Sequence, residues 1–207
     1  MILDIHSHRP VPYLEGVVNI MDGRLPRVEG QLFSAGVHPW DTIEEVPDYV
    51  FEGLAELAAR PEVAAIGECG VDTQKGGPMF RQLQVFKKQV EISENVGKPL
   101  VIHAVKAADI ILGLKRDLAP SQPWIIHGFR GKPAQAKQLL DKGLYLSFGR
   151  NFNPETVKMM PPQRLLAETD ESPESIAEII ASLSEAYGTD LTSIIATNTA
   201  SLLHISE

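Results

Sequence analysis

Two histidines near the start of the chain have the spacing of a metal chelate. The stretch "ILDIHSH" places His6 and His8 two positions apart, behind the apolar residues Ile2, Leu3 and Ile5. Such a run is typical of a buried strand, in which residues i and i+2 point to the same face. Two neutral imidazoles on one face would bind a divalent transition metal together. Alone the motif is weak, because histidines at strand ends also serve as capping or solvated residues.

Further side chains of metal-ligand type stand at the ends of other apolar runs. Imidazole and carboxylate ligands together favour Zn, Mn, Fe or Ni, whereas an all-oxygen set would favour Ca or Mg. Even four of these histidines with two of these carboxylates exceed the needs of one tetrahedral ion and suffice for two ions that share a carboxylate. Each residue also has a simpler explanation; Asp170, for example, precedes a typical helix start at Ser172 and Pro173. The residues at these ends are His6, His8, His38, Glu68, Asp72, His103, His127, Glu168 and Asp170.

The elements that must position these side chains alternate along the chain. Eight apolar, β-rich runs are "MILDI", "GVVNI", "LFSAGV", "EVAAIG", "PLVIH", "WIIH", "GLYLSF" and "RLLAET". Helical patterns cover residues 47–60, 79–96, 107–118, 132–142 and 172–187, and a further one covers 190–205. Continuous apolar runs separated by helices predict a parallel sheet covered on both sides. Eight such units predict an α/β fold, the (β/α)8 TIM-type barrel, whose active sites lie at the carboxyl ends of the strands.

The barrel is expected to be abbreviated. The chain has 207 residues, whereas a full barrel typically takes about 250. Residues 7–16 and 21–31 join the first three strand candidates and are rich in Pro and Gly. Because a crossover with a helix needs about 10 to 12 residues or more, we predict that the first two outer helices are missing or vestigial. The absence of repeats and linker-like segments predicts a single domain over residues 1–207.

Composition narrows the classes of function. The apolar share of 43% and the charged share of 22% are those of a globular protein. A net charge of −8 argues against duplex binding driven by phosphate neutralisation, although bound cations would offset carboxylates at a site. The single cysteine, Cys69, is expected to be a packed thiol. We expect no membrane span and a cytoplasmic location, because the sequence shows neither a long apolar run nor a signal peptide.

Several motifs, in order along nearly the whole chain, resemble those of one known family. They are "DIHSH", "GVHPW", "AIGECGVD", "FRQLQVFKKQVEISENVGKPLVIH", "HGFRG" and "ETDESP". With them the sequence resembles the TatD family of metal-dependent hydrolases, within the amidohydrolase-like barrels. The resemblance implies cleavage of phosphodiesters, typically of DNA from an end, with divalent metal.

The resemblance also implies roles for individual residues. Two divalent ions, Zn, Mn or Mg, are implied, with Glu68 as the ligand that bridges them and as a catalytic residue. Asp170 is the implied acceptor of the proton of a metal-activated water, and His38 is implied to contact the substrate or its phosphate. The implied metal ligands are His6, His8 and Asp170 for one ion, His103 and His127 for the other, and Glu68 for both.

The chain departs from the family's pattern on the substrate side. Val105 stands where an arginine is common, Trp40 replaces a usual histidine, and "HGFRG" introduces Arg130. The metal-holding groups are intact, so the departures weaken the specific expectation of DNA more than that of hydrolysis. We expect Arg130 and Lys106 among the substrate contacts. The cations that follow strand ends are Arg9, Lys106, Arg130 and Arg150.

Three hypotheses of function follow. The first is a DNase-like phosphodiester hydrolase that acts on 3' ends or on single-stranded DNA. The second is a hydrolase of another bond, such as an amide, a lactone or another phosphate ester. Relatives with those activities commonly carry a carboxylated bridging lysine, so Glu68 favours the first. The third is a metal-binding protein without turnover, since altered substrate residues beside intact ligands are what such a protein would show.

Overall fold

The computed structural model describes residues 1–10, 15–20 and 22–205. Eight parallel strands pair in chain order, and β8 pairs with β1 to close the barrel. The α/β barrel predicted from the sequence is therefore confirmed. The strands are β1 (Asp4–Ser7), β2 (Gly16–Ile20), β3 (Leu32–Ala35), β4 (Val63–Asp72), β5 (Leu100–Val105), β6 (Trp124–Ile126), β7 (Tyr145–Phe148) and β8 (Leu165–Ala167).

Helices connect most of the strands. The α-helices of the described residues are α1 (Asp48–Ala58), α2 (Met79–Val96), α3 (Ala108–Leu118), α4 (Pro133–Asp141), α5 (Pro154–Lys158), α6 (Ile176–Tyr187) and α7 (Thr192–Leu202). Short 3-10 helices cover Pro39–Thr42 and Pro162–Arg164. Residues 22–31 enter β3 without a helix. The predicted loss of the first crossover helix falls partly on residues 11–14, and these, like residue 21, lie outside the described residues.

Two sequence predictions about helices need correction. The helix predicted over residues 172–187 begins only at Ile176. Ser175 caps it, since its side chain accepts the backbone N–H of Glu178 while Glu178 reaches back to the N–H of Ser175. The short helix α5 was not predicted, because five residues are too few for a helical period to show. Asn153 caps α5 through the backbone N–H of Thr156.

Apolar packing fixes the strands on both sides of the barrel wall. One buried cluster joins Ile5, Val101 and Ile125 of three strands to Leu202 of α7. A larger buried cluster covers the strands with the helices. There the fully buried Trp124 of β6 packs edge-on against Phe86 of α2, with ring centroids 5.3 Å apart. The strands therefore form a rigid frame for the side chains at their carboxyl ends.

Glycines allow β4 and β5 to approach closely. A Cβ atom at Gly70 would lie 2.1 Å from the carbonyl oxygen of His103, and one at Gly67 would lie 2.6 Å from that of Val101. Both glycines also have positive φ, at 140° and 149°, which L side chains rarely adopt. The "GECG" stretch thus brings Glu68, between these glycines, beside β5 and its His103.

Candidate metal centre and active site

Glu68 lies between two pairs of histidines. Its side chain is 4% exposed. Its Oε2 lies 3.1 Å from Nε2 of His8 and 3.3 Å from Nε2 of His6. Its Oε1 lies 2.7 Å from Nδ1 of His103 and 2.8 Å from Nε2 of His127. Each carboxylate oxygen therefore faces its own histidine pair, as a carboxylate shared by two ions would.

Asp170 approaches the first histidine pair from the far end of the chain. Its Oδ1 lies 3.8 Å from Nε2 of His6 and 3.6 Å from Nε2 of His8. Its backbone N–H donates to the carbonyl of His6 at 2.9 Å, and its carbonyl accepts the N–H of His8 at 3.1 Å. Asp170 has a left-handed φ of 52°, a conformation that Asp tolerates better than most residues. The structure thus brings together all six residues expected to hold metal.

The donor set fits divalent transition ions. His6 is fully buried, and within the described ranges neither of its ring nitrogens has a hydrogen-bond partner. Leaving a buried polar group without a partner costs about 1–3 kcal/mol, and a bond from Nε2 to an ion would use one of these nitrogens. Ligand atoms lie within 4.8 Å of one another in three overlapping groups. The groups are His6, His8 and Glu68; His6, His127 and Asp170; and His38, Glu68 and His103.

His38, which was expected to contact the substrate, also lies in direct contact with the candidate metal ligand Glu68. Its Nε2 is 3.1 Å from Oε1 of Glu68. Its Nδ1 accepts the backbone N–H of Trp40 at 3.2 Å, so the proton of a neutral ring lies on Nε2. His38 therefore presents an N–H donor on the side of Glu68 that faces His103 and His127.

Two buried carboxylates orient the histidines of the second pair. Oδ2 of Asp72 lies 3.2 Å from Nε2 of His103, and Oε1 of Glu168 lies 3.3 Å from Nδ1 of His127. A carboxylate that accepts one ring N–H leaves the other nitrogen free to bind metal. The sequence showed both acids at strand ends but gave them no role. The available signal was their spacing, four residues after Glu68 and two before Asp170.

Hydrogen bonds from neighbouring strands hold the ligand-bearing backbone. Oδ1 of Asn19 in β2 accepts the N–H of Glu68 at 2.8 Å. Asp4 in β1 is fully buried and accepts the hydroxyl of Thr169 at 2.6 Å and its N–H at 3.0 Å. Burial raises the pKa of Asp4 to about 7. These contacts fix the backbone beside Glu68 and Asp170.

The two carboxylates nearest the histidines differ in their affinity for protons. Burial raises the pKa of Glu68, but hydrogen bonds from histidines, that of His103 foremost, outweigh burial and hold this pKa well below its ordinary value. Burial, followed by the charge of Glu168, raises the pKa of Asp170. The pKa of Glu68 is thus lowered and that of Asp170 is raised, so Asp170 is the carboxyl that takes up a proton more readily.

Two neighbouring cavities give access to this cluster. One of about 220 Å³ lies over the histidines and is also lined by Asn19, Ile20, Gly36, Trp40 and Asp41. A second of about 410 Å³ is lined by Arg130 and Arg150 and contains the buried Glu168 in its wall. Asp170 and Glu171 line both cavities. The two cavities thus adjoin at Asp170 and Glu171, and the arginines lie in the second.

The expected substrate cations are placed differently from one another. Arg130 is exposed and lines the second cavity, not the one over the histidines. Nζ of Lys106 donates to Oε1 of Gln74 at 3.2 Å. Lys106 lies at neither cavity as far as the described residues define them. Arg130 is therefore the better placed of the two expected substrate contacts.

Cys69 plays a packing role, as expected. It is fully buried, and burial raises the pKa of its thiol well above the ordinary value.

Within the described ranges, every helix is too short or too polar to cross a membrane.

Comparisons with known proteins show the family of this chain. The sequence profile of the family described as TatD related DNase matches residues 27–204. Over 147 residues the chain is 37% identical to the uncharacterized metal-dependent hydrolase YabD of Bacillus subtilis, a match that covers 65% of this chain and 56% of that protein. Over 148 residues it is 31% identical to the 3'-5' ssDNA/RNA exonuclease TatD of Klebsiella pneumoniae, with 66% and 56% covered. The chain thus spans little more than half the length of these relatives.

A solved structure shares the fold. The crystal structure of YjjV, a TatD homologue from Escherichia coli, superposes with a TM-score of 0.80 at 21% sequence identity and covers 99% of this chain and 98% of its own. The family match covers most of the chain, and the histidine and carboxylate cluster is of the kind that a metal-dependent hydrolase needs. The chain belongs to the TatD family of metal-dependent hydrolases.

Proposed function

We propose that the chain is a hydrolase of phosphodiesters that uses two divalent ions and acts on single-stranded nucleic-acid ends. The position of Glu68, with one oxygen at each of two histidine pairs, carries this proposal. An exonuclease on single-stranded DNA and RNA among the relatives supports the substrate class. A glutamate at the shared position, where hydrolases of other bonds commonly have a carboxylated lysine, supports phosphodiester cleavage over the alternatives.

The resemblance to the family assigns the candidate ligands to two ions. His6, His8 and Asp170 would hold one, His103 and His127 the other, and Glu68 both. When bound, such ions lower the pKa of water and stabilise the entering and leaving oxygens of a phosphoryl displacement.

The chain's own residues then supply proton transfer and orientation. Asp170 accepts the proton of the attacking water, in keeping with its raised pKa and its place at the border of both cavities. Glu68 remains ionised and keeps its two oxygens for the histidine sides. His38 presents its Nε2–H, which lies 3.1 Å from Oε1 of Glu68, as a hydrogen-bond donor to a phosphoryl oxygen bound beside that carboxylate, because its Nδ1 is already an acceptor.

Arg130 orients the phosphate from the second cavity. Its side chain is exposed and lines this cavity. A planar guanidinium matches phosphate oxygens in pairs. Arg130 thus takes over the role of the arginine that family members commonly carry at the position of Val105.

Metal analysis and a substrate panel test the proposal. The purified protein should contain transition metal and hydrolyse bis(p-nitrophenyl) phosphate and a single-stranded oligonucleotide, with Zn, Mn and Mg supplied separately. A chelator should abolish turnover, and metal should restore it. Glu68→Gln should lower metal content and turnover, whereas Glu155→Gln, an exposed substitution in α5, should change neither.

Two results would contradict the proposal. Hydrolysis of amide or lactone substrates without phosphodiester cleavage would assign the site to a different bond. Bound metal without turnover of any substrate class would show a metal-binding protein that has lost catalysis.

A further inference from the structure

One large aromatic side chain is exposed inside the cavity over the metal ligands. Trp40 lines this cavity and is 42% exposed, whereas the other tryptophan, Trp124, is fully buried. Trp40 lies in the short 3-10 helix Pro39–Thr42, where the resembled family usually has a histidine. An indole left in contact with solvent beside a reaction site is available to a ligand.

Hydrogen bonds fix the orientation of this ring. Its Nε1 donates to Oδ2 of the buried Asp72 at 2.7 Å. The other oxygen of Asp72 accepts the backbone N–H groups of Gln74 and Lys75, at 2.7 and 3.1 Å. The Trp40 backbone N–H is held in turn by Nδ1 of His38. A ring that is already ordered loses little conformational entropy when a ligand packs on it.

The ring also lies close to the histidines of the candidate metal centre. Its centroid is 4.8 Å from that of His38 and 5.8 Å from that of His103. Ile20 lines the same cavity. A flat, partly apolar group attached to a phosphate at the histidines would therefore reach the indole.

A cation currently lies over the ring. Nζ of the exposed Lys75 is 4.2 Å from the ring centroid of Trp40. An exposed cation–π contact is worth about 0.5–1 kcal/mol, whereas stacking of a nucleobase on an aromatic side chain is worth about 1–3 kcal/mol. A base would displace the ammonium, which would then be free to pair with a phosphate.

We propose that Trp40 stacks the base of the nucleotide whose phosphate lies at the histidines. This inference rests on the proposed function and narrows its substrate to nucleic acid with an unpaired terminal base. In a duplex, that base is paired and stacked on neighbouring bases and is not accessible to the indole. Trp40 is thus a specificity-determining residue for single-stranded ends.

Binding of two small probes tests this role. 2-Deoxyribose 5-phosphate has the sugar and the phosphate of thymidine 5'-monophosphate, with a hydroxyl in place of the base. Their dissociation constants are measured by calorimetry on the metal-loaded parent, on Trp40→Phe and on Trp40→Ala, with metal content determined for each. The parent should prefer the nucleotide at least ~5-fold, in line with the lower end of stacking energies. The nucleotide should quench the fluorescence of Trp40 in the parent. Trp124 is shielded from solvent and should not respond.

The phenylalanine variant separates stacking from the hydrogen bond to Asp72. Trp40→Phe keeps a ring but loses the indole N–H, so the preference for the nucleotide should persist. Trp40→Ala should abolish the preference. Equal affinities in the parent, undetectable binding of the nucleotide, or a preference that survives in Trp40→Ala would overturn the proposal.

Failure of stacking and failure of the proposed function give different results. Hydrolysis of bis(p-nitrophenyl) phosphate without any preference for the nucleotide would reject stacking alone. A Trp40-dependent preference without hydrolysis of any phosphodiester would reject the proposed function and support the stacking site.

Discussion

Nδ1 of His127 lies 3.3 Å from Oε1 of the fully buried Glu168. Asp72 makes the corresponding contact to His103, but to Nε2. The two histidines therefore present opposite ring nitrogens, Nε2 of His127 and Nδ1 of His103, to the same oxygen of Glu68. With metal bound at those two nitrogens, the remaining ring protons would lie on the nitrogens that face the buried carboxylates.

Glu168→Gln should weaken metal binding without removing a ligand. The amide lacks the charge that favours a proton on Nδ1 of His127, and loss of such a partner typically lowers metal affinity about 10- to 100-fold. Competition with a coloured chelator measures the change. Glu185→Gln, an exposed substitution in α6, is the matched control. Unchanged affinity in Glu168→Gln would show that Glu168 does not orient the histidine.

Arg130→Ala should reduce kcat/KM for phosphodiesters at least ~10-fold, about 1.4 kcal/mol of transition-state binding. Metal content should stay at the parent value, because Arg130 lines the second cavity and not the histidine cluster. Steady-state kinetics with metal analysis on the same samples measure both. Arg116→Ala in α3, where the arginine pairs with Asp117 at 2.7 Å, controls for loss of a surface charge. Equal turnover in Arg130→Ala and in the parent would show that Arg130 does not orient the substrate.

Gly70→Ala and Gly53→Ala should change stability in opposite directions. At Gly70 the new Cβ would lie 2.1 Å from the carbonyl oxygen of His103, so β4 and β5 must separate at a cost of ~3 kcal/mol or more. At Gly53, in α1, the structure shows no described atom within 4 Å of the new Cβ. Alanine there should stabilise the helix by about 0.5–1 kcal/mol. Chemical unfolding measures both, and a neutral Gly70→Ala would contradict the close approach of these strands.

Glu94→Gln should lower stability at neutral pH and have little effect in acid. The carboxylate of Glu94, in α2, accepts the hydroxyl of Ser121 and the backbone N–H groups of Ser121 and Gln122. Burial raises the pKa of Glu94, but these bonds outweigh burial and place it below the ordinary 4.5. Since the folded-state pKa is lowered, the stabilisation is complete above pH 4.5 and disappears as the pH falls through the folded-state value.

After allowance for the screening of a partly exposed group, this stabilisation is about 1 kcal/mol, or roughly 2–4 °C in Tm. Thermal unfolding of parent and variant from pH 7 down to pH 3 measures it. Glu91→Gln, at an exposed position of the same helix, is the control. A difference in Tm that persists at low pH would show that the side chain's charge is not what matters.

Local patterns were enough to predict the barrel and the convergence of ligands. Apolar runs such as "PLVIH" marked buried strands, and a barrel brings the residues that follow such strands to one mouth. Contacts between distant segments could not be read in this way. The hydrogen bond between Trp40 and Asp72 joins positions 32 apart. The direction of Lys106 toward Gln74 likewise depends on a loop conformation, including a left-handed φ of 49° at Lys106, that periodicity does not encode.

The backbone hydrogen bonds between the β1 segment and Asp170 also bear on the order in which the histidine and carboxylate cluster can be completed during synthesis. His6 and His8 are made before the other candidate ligands, yet the backbone hydrogen bonds that bind their strand to Asp170 require residues made more than 160 positions later. A nascent chain stopped before β8 has the early histidines but lacks Asp170 and a closed barrel. The full set of six candidate metal ligands therefore exists only once β8 and the residues that follow it have been made.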